Sequence, residues 1–288
     1  MCTHNFRDIL QEIDLKNAPN WVKLTLRPDI IPDKISCGTF KEVYVFGKVA
    51  VSVERSNGRD MSIFERFKKM KYKQHLVYPK EVFIGGGYTF YLMNSCPNGD
   101  LFDMLTSDNY QIKNKDIFQL KTCLVELHEN RIYLCDIKPE NIMWCGSRLA
   151  FIDLDSAITS EKIGNDIQFT PSYSIFQFSK FTSKSEKHLW WNDLFAFALV
   201  TLWHIGKKYK IRLLIKDHCK AVTNGEYNRL FKYKHHVKGI RYSTRGLKLQ
   251  KYASKVIRAV MDYVNSDTLP DSKPFEDFFS VSFIGLKF

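Results

Sequence analysis

Near residue 97 the periodicity of this chain changes, and that change restricts its architecture more than any other feature. Residues 31 to 53 alternate apolar and polar in short stretches broken by Gly38 and Gly47, the pattern of hairpin strands. Val77 to Met93 returns to strand character around the turn Gly85-Gly86-Gly87. Between them, Ser62 to Tyr72 has helical spacing, with Ile63, Phe64, Phe67 and Met70 as an inner face. Pro97-Asn98-Gly99-Asp100 then punctuates the chain. After it the pattern is mainly helical: Leu101 to Leu105, Lys115 to Asn130, Asp193 to Ile205 and Tyr252 to Val264. A strand-rich first third joined by a short connector to a helix-rich remainder predicts an α+β fold in two lobes. We place these at 31–95 and 96–288, with 1–30 as an N-terminal extension and the boundary near Ser95–Gly99.

Composition narrows the class. A chain of 288 residues with 44% hydrophobic and 14% aromatic content can bury a large core. No apolar run approaches the ~18 residues of a membrane span; Leu194 to Trp203 comes nearest. The N-terminus carries Asp8 and polar residues where a signal peptide would be apolar. Seven cysteines, odd in number and without C-x-x-C pairs, predict reduced thiols in an intracellular protein, cytoplasmic or nuclear. The net charge of +12 is concentrated: residues 207–258 hold sixteen Lys/Arg against Asp217 and Glu226. That stretch reads either as a solvated face or as a surface for an acidic partner or nucleic acid.

The chemistry is concentrated in Leu134-Cys135-Asp136-Ile137-Lys138-Pro139-Glu140-Asn141 and the following Phe151-Ile152-Asp153-Leu154-Asp155. One acid, one lysine, one carboxamide and a second acid stand at the spacing that a phosphoryl-transfer site needs. Asp136 can accept the proton of a substrate hydroxyl, and Lys138 can balance charge on the moving phosphoryl group. Asn141 and Asp153 can hold divalent metal against nucleotide phosphates. At these residues the chain resembles a eukaryotic-type protein kinase, with D-x-K-P-E-N retained. Leu134-Cys135 stands for the usual His-Arg and Asp153-Leu154-Asp155 for Asp-Phe-Gly. The resemblance implies the bilobal protein-kinase-like fold, ATP with Mg2+ (or Mn2+), and a protein substrate.

In the first lobe, Ile35-Ser36-Cys37-Gly38-Thr39-Phe40-Lys41-Glu42-Val43 lies where the family carries its glycine-rich loop, and only the middle glycine, Gly38, is kept. Val49-Ala50-Val51-Ser52 resembles the strand that carries the phosphate-binding lysine, with Ser52 at the lysine position. Residues two apart on a strand share a face at roughly 7 Å. Lys41 therefore points with Val43; the resemblance implies that Val43 covers the nucleotide base, so Lys41 would face the nucleotide too and is long enough to make the missing contact. The same exchange marks the with-no-lysine kinases, which Gly-Thr-Phe-Lys41-Glu-Val-Tyr resembles over seven residues. The resemblance further implies Glu65 as the carboxylate that pairs with this lysine; the alternative for Glu65 is an exposed helical carboxylate. It implies Ile35, Val43 and Ala50 around the base, Met93 as gatekeeper, Asn94 to Cys96 as hinge, and Asp100 at the ribose.

In the second lobe, Cys135 removes the arginine that would receive a phosphate on the activation segment. Asp155 either assists the metal or points to solvent. Thr170-Pro171-Ser172-Tyr173 resembles the substrate platform, and Asp193 the helix aspartate that braces the catalytic loop. Lys138, two residues after Asp136, implies a serine/threonine kinase. The compact length, lost motifs and lysine content look like a diverging viral kinase of baculovirus type. The rivals are an inactive pseudokinase scaffold and a small-molecule phosphotransferase on the same fold.

Overall fold

Five strands build the first sheet: β1 (Lys34–Cys37), β2 (Lys41–Phe46), β3 (Val49–Arg55), β4 (Glu81–Gly85) and β5 (Tyr88–Asn94). They pair antiparallel in the order β1-β2-β3-β5-β4. The computed structural model describes residues 6–27, 29–37, 41–56, 61–106, 112–163, 167, 169–170, 173–174 and 186–205. Gly38, the basic stretch 207–258, Pro171-Ser172 and the helix expected at Tyr252 to Val264 lie outside the described residues.

Alternation gives this sheet two different faces. Tyr44, Val51, Val53, Tyr88 and Phe90 point to one side. They pack there against Ile9, Leu10, Ile13, Ala18, Trp21, Val22 and Leu26, from α1 (Phe6–Gln11), α2 (Asn20–Thr25) and their flanks. The segment expected as an extension is thus part of this unit's core. Each such fully buried side chain is worth roughly 1.5–3 kcal/mol. The β4–β5 hairpin turns through Gly86 and Gly87 at φ +59° and +76°, the left-handed pair of a type I′ turn. Gly86 is also needed for space, since a Cβ there would lie 2.5 Å from the Glu12 carbonyl oxygen.

Between β3 and β4 runs α3 (Ser62–Lys69), which buries Ile63, Phe64 and Phe67 at the expected spacing, with Met70 buried just beyond. After the sheet come α4 (Leu101–Thr106), α5 (Asn114–Glu129), the short strand β6 (Ile132–Tyr133), the hairpin β7 (Ile142–Cys145) and β8 (Arg148–Phe151), β9 (Ile158–Thr159) and α6 (Glu186–Ile205). β6 pairs with β9. Ile117, Leu120, Leu124 and Leu127 form the buried stripe of α5. The stretch of α6 from Trp191 to Thr201 is buried without interruption, as expected for a helix that is apolar on all sides.

The described residues up to Asn98 group with Trp144–Ile152 as one compact unit, and those of Gly99–Met143 with the residues from Asp153 onward as a second. Contacts explain why the hairpin segment joins the first unit. The Val77 N–H donates to the Phe151 carbonyl at 2.8 Å. His75 Nδ1 meets the Leu149 carbonyl at 2.8 Å, and Arg148 Nε donates to the Gln74 carbonyl at 2.7 Å. Cys96 and Cys145 form a disulfide within the same unit. Cys37 is disulfide-bonded as well. The expectation of reduced thiols is therefore corrected: partners 49 residues apart leave no local sequence signature. Cys123 and Cys135 remain free thiols, both buried.

Candidate active site

The loop after β6 is held in a conformation that its own residues would not choose. Cys135 takes φ +65°, in the left-handed region that costs a non-glycine residue about 1–2 kcal/mol. Asp193 of α6 holds it there. Its carboxylate, wholly buried, accepts the Leu134 and Cys135 N–H groups at 2.8 Å each. The neighbouring Asn192 donates its Nδ2 to the Cys135 carbonyl at 3.0 Å, and His128 Nε2 lies 3.1 Å from the same Asp193 carboxylate. Ser156 Oγ donates to the Leu134 carbonyl at 2.8 Å. Burial raises the Cys135 thiol well above its ordinary pKa, so the side chain standing where the family has arginine is a neutral, enclosed group.

On this fixed backbone three of the expected residues meet. Lys138 Nζ donates to Asp136 Oδ2 at 2.8 Å. Asn141 Nδ2 donates to the Asp136 carbonyl at 2.9 Å and to Oδ2 at 3.0 Å. Lys138 also donates to Thr170 Oγ1 at 2.8 Å, which joins the loop to the first residue of the expected platform. Asp136 Oδ2 is thus doubly bonded, while Oδ1 is buried and has no hydrogen-bond partner among the described residues. Leaving such an oxygen unsatisfied costs about 1–3 kcal/mol, which a donor arriving from outside would recover.

Asp153 belongs to the same unit. It is exposed and takes φ 54°, ψ 51° at the entrance to the turn Leu154–Ser156, where Leu154 is buried and Asp155 half-buried. Asp100 caps α4: its Oδ1 accepts the Asp103 N–H at 2.8 Å. The carboxylate expected at a ribose is therefore also the helix cap.

The remaining expected residues lie in the first unit. The register opposes Val43 to Ser52, Val45 to Ala50, Ala50 to Met93 and Ser52 to Tyr91. Directly opposed residues share a face, so Lys41, Val43, Ala50, Ser52, Glu54, Tyr91 and Met93 line the side away from α1 and α2. Ile35 is opposed to Tyr44 instead, one position out of phase with Val43, and is 48% exposed. Asn94 is exposed at the end of β5. Cys96 has its sulfur committed to Cys145, which leaves its backbone groups as what it can offer to a ligand.

Glu65 differs most from its expected part. It stands on the exposed side of α3, and its carboxylate accepts Lys68 Nζ at 2.6 Å, with 65% of the side chain accessible. The turn-by-turn spacing that marks it as a partner for Lys41 serves equally for an i,i+3 pair along the helix. Glu54 and Tyr91, which the sequence did not single out, share the face of Lys41. Both are buried, at 5% and 4% exposure, and the Tyr91 hydroxyl donates to Glu54 Oε1 at 2.5 Å. The alternation of Ala50, Ser52 and Glu54 would have shown that all three share a face.

The fold is α+β: an antiparallel five-stranded sheet with a helix after its third strand, then a largely helical unit. No protein-family model matches the chain. Among solved structures it is similar to the Cydia pomonella granulovirus kinase PK-1, at 19% identity and a TM-score of 0.47, over 59% of this chain and 67% of that one. A likeness this slight assigns no residue a role. Among the described residues, no helix is long and apolar enough to cross a membrane.

Proposed function

We propose that this protein is an ATP-dependent protein kinase acting on serine or threonine hydroxyls. The observation that carries the reading is the Asp136 carboxylate, with Oδ2 held by Lys138 and Asn141 and Oδ1 without a donor among the described residues. Asp136 accepts the hydroxyl proton of the substrate as its oxygen bonds to the γ-phosphorus and the bond to the ADP oxygen breaks. Lys138 offsets charge on the transferred group and ties the loop to Thr170. That link to the platform residue, with Lys138 itself, supports the serine/threonine class.

The donor set suits magnesium. Asn141 spends its amide nitrogen on Asp136, so its oxygen is what it can offer a cation; Asp153 could offer its carboxylate. Among the described residues no group of three or more His, Cys, Asp or Glu is poised to hold a metal alone. Magnesium would be carried largely by nucleotide phosphates and water. When bound, it would neutralise charge between the β- and γ-phosphates.

Lys41 is proposed to replace the lysine missing at Ser52, from the neighbouring strand and on the same face. Val43, Ala50 and Met93 supply the apolar wall for the base. The basic stretch 207–258 is proposed as the docking surface for an acidic protein substrate.

Transfer of radiolabelled γ-phosphate to basic and acidic model proteins tests the reading. Asp136→Asn should reduce it by about 10²–10⁴-fold, the worth of a general base, while leaving the melting curve in place. Binding of ATP with no transfer to any protein acceptor would favour the scaffold reading. Transfer to a small molecule alone would favour the phosphotransferase.

A further inference from the structure

We propose that Glu54, two residues beyond Ser52 on β3, is the carboxylate that positions Lys41. The inference rests on the displaced-lysine reading above and adds a residue that the family resemblance does not suggest.

The register opposes Lys41 to Glu54 directly across β2 and β3. Opposed residues in an antiparallel pair have Cβ atoms about 4.5–5.5 Å apart on one face, close enough for the two side chains to meet. Glu54 is 5% exposed, and a carboxylate buried to that degree needs hydrogen bonds and an opposite charge to be tolerated. Tyr91 supplies the first. Fixed on β5 opposite Ser52, it donates its hydroxyl to Oε1 and so orients the carboxylate. Directly across the ladder from the carboxylate stands a cation, Lys41.

Ser52 completes the arrangement. Its small side chain lies between Val43 and Tyr91, and its buried hydroxyl has no hydrogen-bond partner among the described residues. The position that would otherwise hold a lysine thus keeps the face open for one reaching in from β2. Glu65, by contrast, is an exposed surface partner of Lys68, in a class of pair worth little in solution. The strand carboxylate is the better placed of the two because its geometry is set by the ladder and does not depend on how a helix sits.

The 288-residue chain tests this with four variants: Lys41→Met, Glu54→Gln, Glu65→Gln and the double variant Lys41→Met/Glu54→Gln. Glu54→Gln should lower kcat/KM for ATP by roughly 10–10²-fold, as loss of a charge-assisted contact does, and by more than Glu65→Gln. The double variant should be no worse than Lys41→Met alone, because the two residues act as one unit.

A second readout needs no turnover. The rate at which an amine reagent modifies Lys41 without nucleotide should follow a pH profile displaced to lower pH in Glu54→Gln. The carboxylate favours the ammonium form, and its removal releases the free amine earlier. Tyr91→Phe, which deletes only the orienting hydroxyl, should move both readouts in the same direction by less, and it serves if Glu54→Gln does not fold. If Lys41→Met leaves transfer intact, the displaced-lysine reading itself fails. If Lys41→Met is severe but effects multiply in the double variant, or the labelling profile does not move, the role of Glu54 is overturned and that reading stands.

Discussion

The loop around Asp136 and the sheet face around Glu54 each hold charged side chains in place, and they do so by opposite means. In the loop the working groups are neighbours in sequence: Asp136, Lys138 and Asn141 bond to one another directly. What comes from far away is the support, since Asp193 and Asn192 grip the backbone from 57 to 59 residues further on. On the sheet face the groups proposed to act together come from three strands, and the support is the ladder that brings them into register. A contiguous constellation is lost by removing its distant brace. A register-built one is lost by changing a single opposed partner.

The largest effect should come from the brace. Asp193→Ala leaves two buried N–H groups without an acceptor, at about 1–3 kcal/mol each, and releases the strain at Cys135. Chemical denaturation should show that loss, with transfer activity falling alongside it. Activity unchanged in a destabilised variant would mean that the loop holds itself and that the contrast between the two regions is false.

On the sheet face, Lys41→Met should cut turnover by at least ~10²-fold, and Ser52→Ala should change it little, because the charge contact comes from β2. Equal and mild effects would remove the face from the chemistry altogether.

A third test asks whether charge outside both regions contributes. Exchanging Lys232, Lys234 and Lys238 together for neutral residues should raise KM for a large acidic substrate and spare a short peptide. Binding of that substrate should weaken steeply with salt. Equal losses on both substrates would return this stretch to a solvated surface.

The smallest effect concerns the start of α6, the helix that carries the brace. The Arg131 guanidinium first, and the Tyr133 hydroxyl second, hold the Glu186 carboxyl down at about 2 from an ordinary value of 4.5. A group whose folded pKa is depressed stabilises the protein above its unfolded value and ceases to do so as pH falls through the folded one. Melting temperature should therefore decline between pH 4.5 and about 2, and less so in Glu186→Gln. The gap between the two should be widest at neutral pH, though small because the pair is largely exposed, and should close as pH falls.

Much of this was legible in the chain. Strand alternation before residue 97 and helical spacing after it gave the two-unit α+β plan, because periods of 2 and 3.6 follow from local backbone geometry. The contiguous set Asp136, Lys138 and Asn141 was legible because one short loop carries it. The shared face of Lys41 and Val43 was legible because strand parity depends on nothing distant. Only the tertiary structure decided that Glu65 turns to Lys68, that Cys96 joins Cys145, that residues 9 to 26 close one face of the sheet, and that Glu54 lies buried opposite Lys41 beneath the Tyr91 hydroxyl. Each of these depends on which strand lies beside which and on what covers each face. Sequence spacing records distance along the chain, and the burial that makes a carboxylate require a partner appears only when separate segments have been brought together.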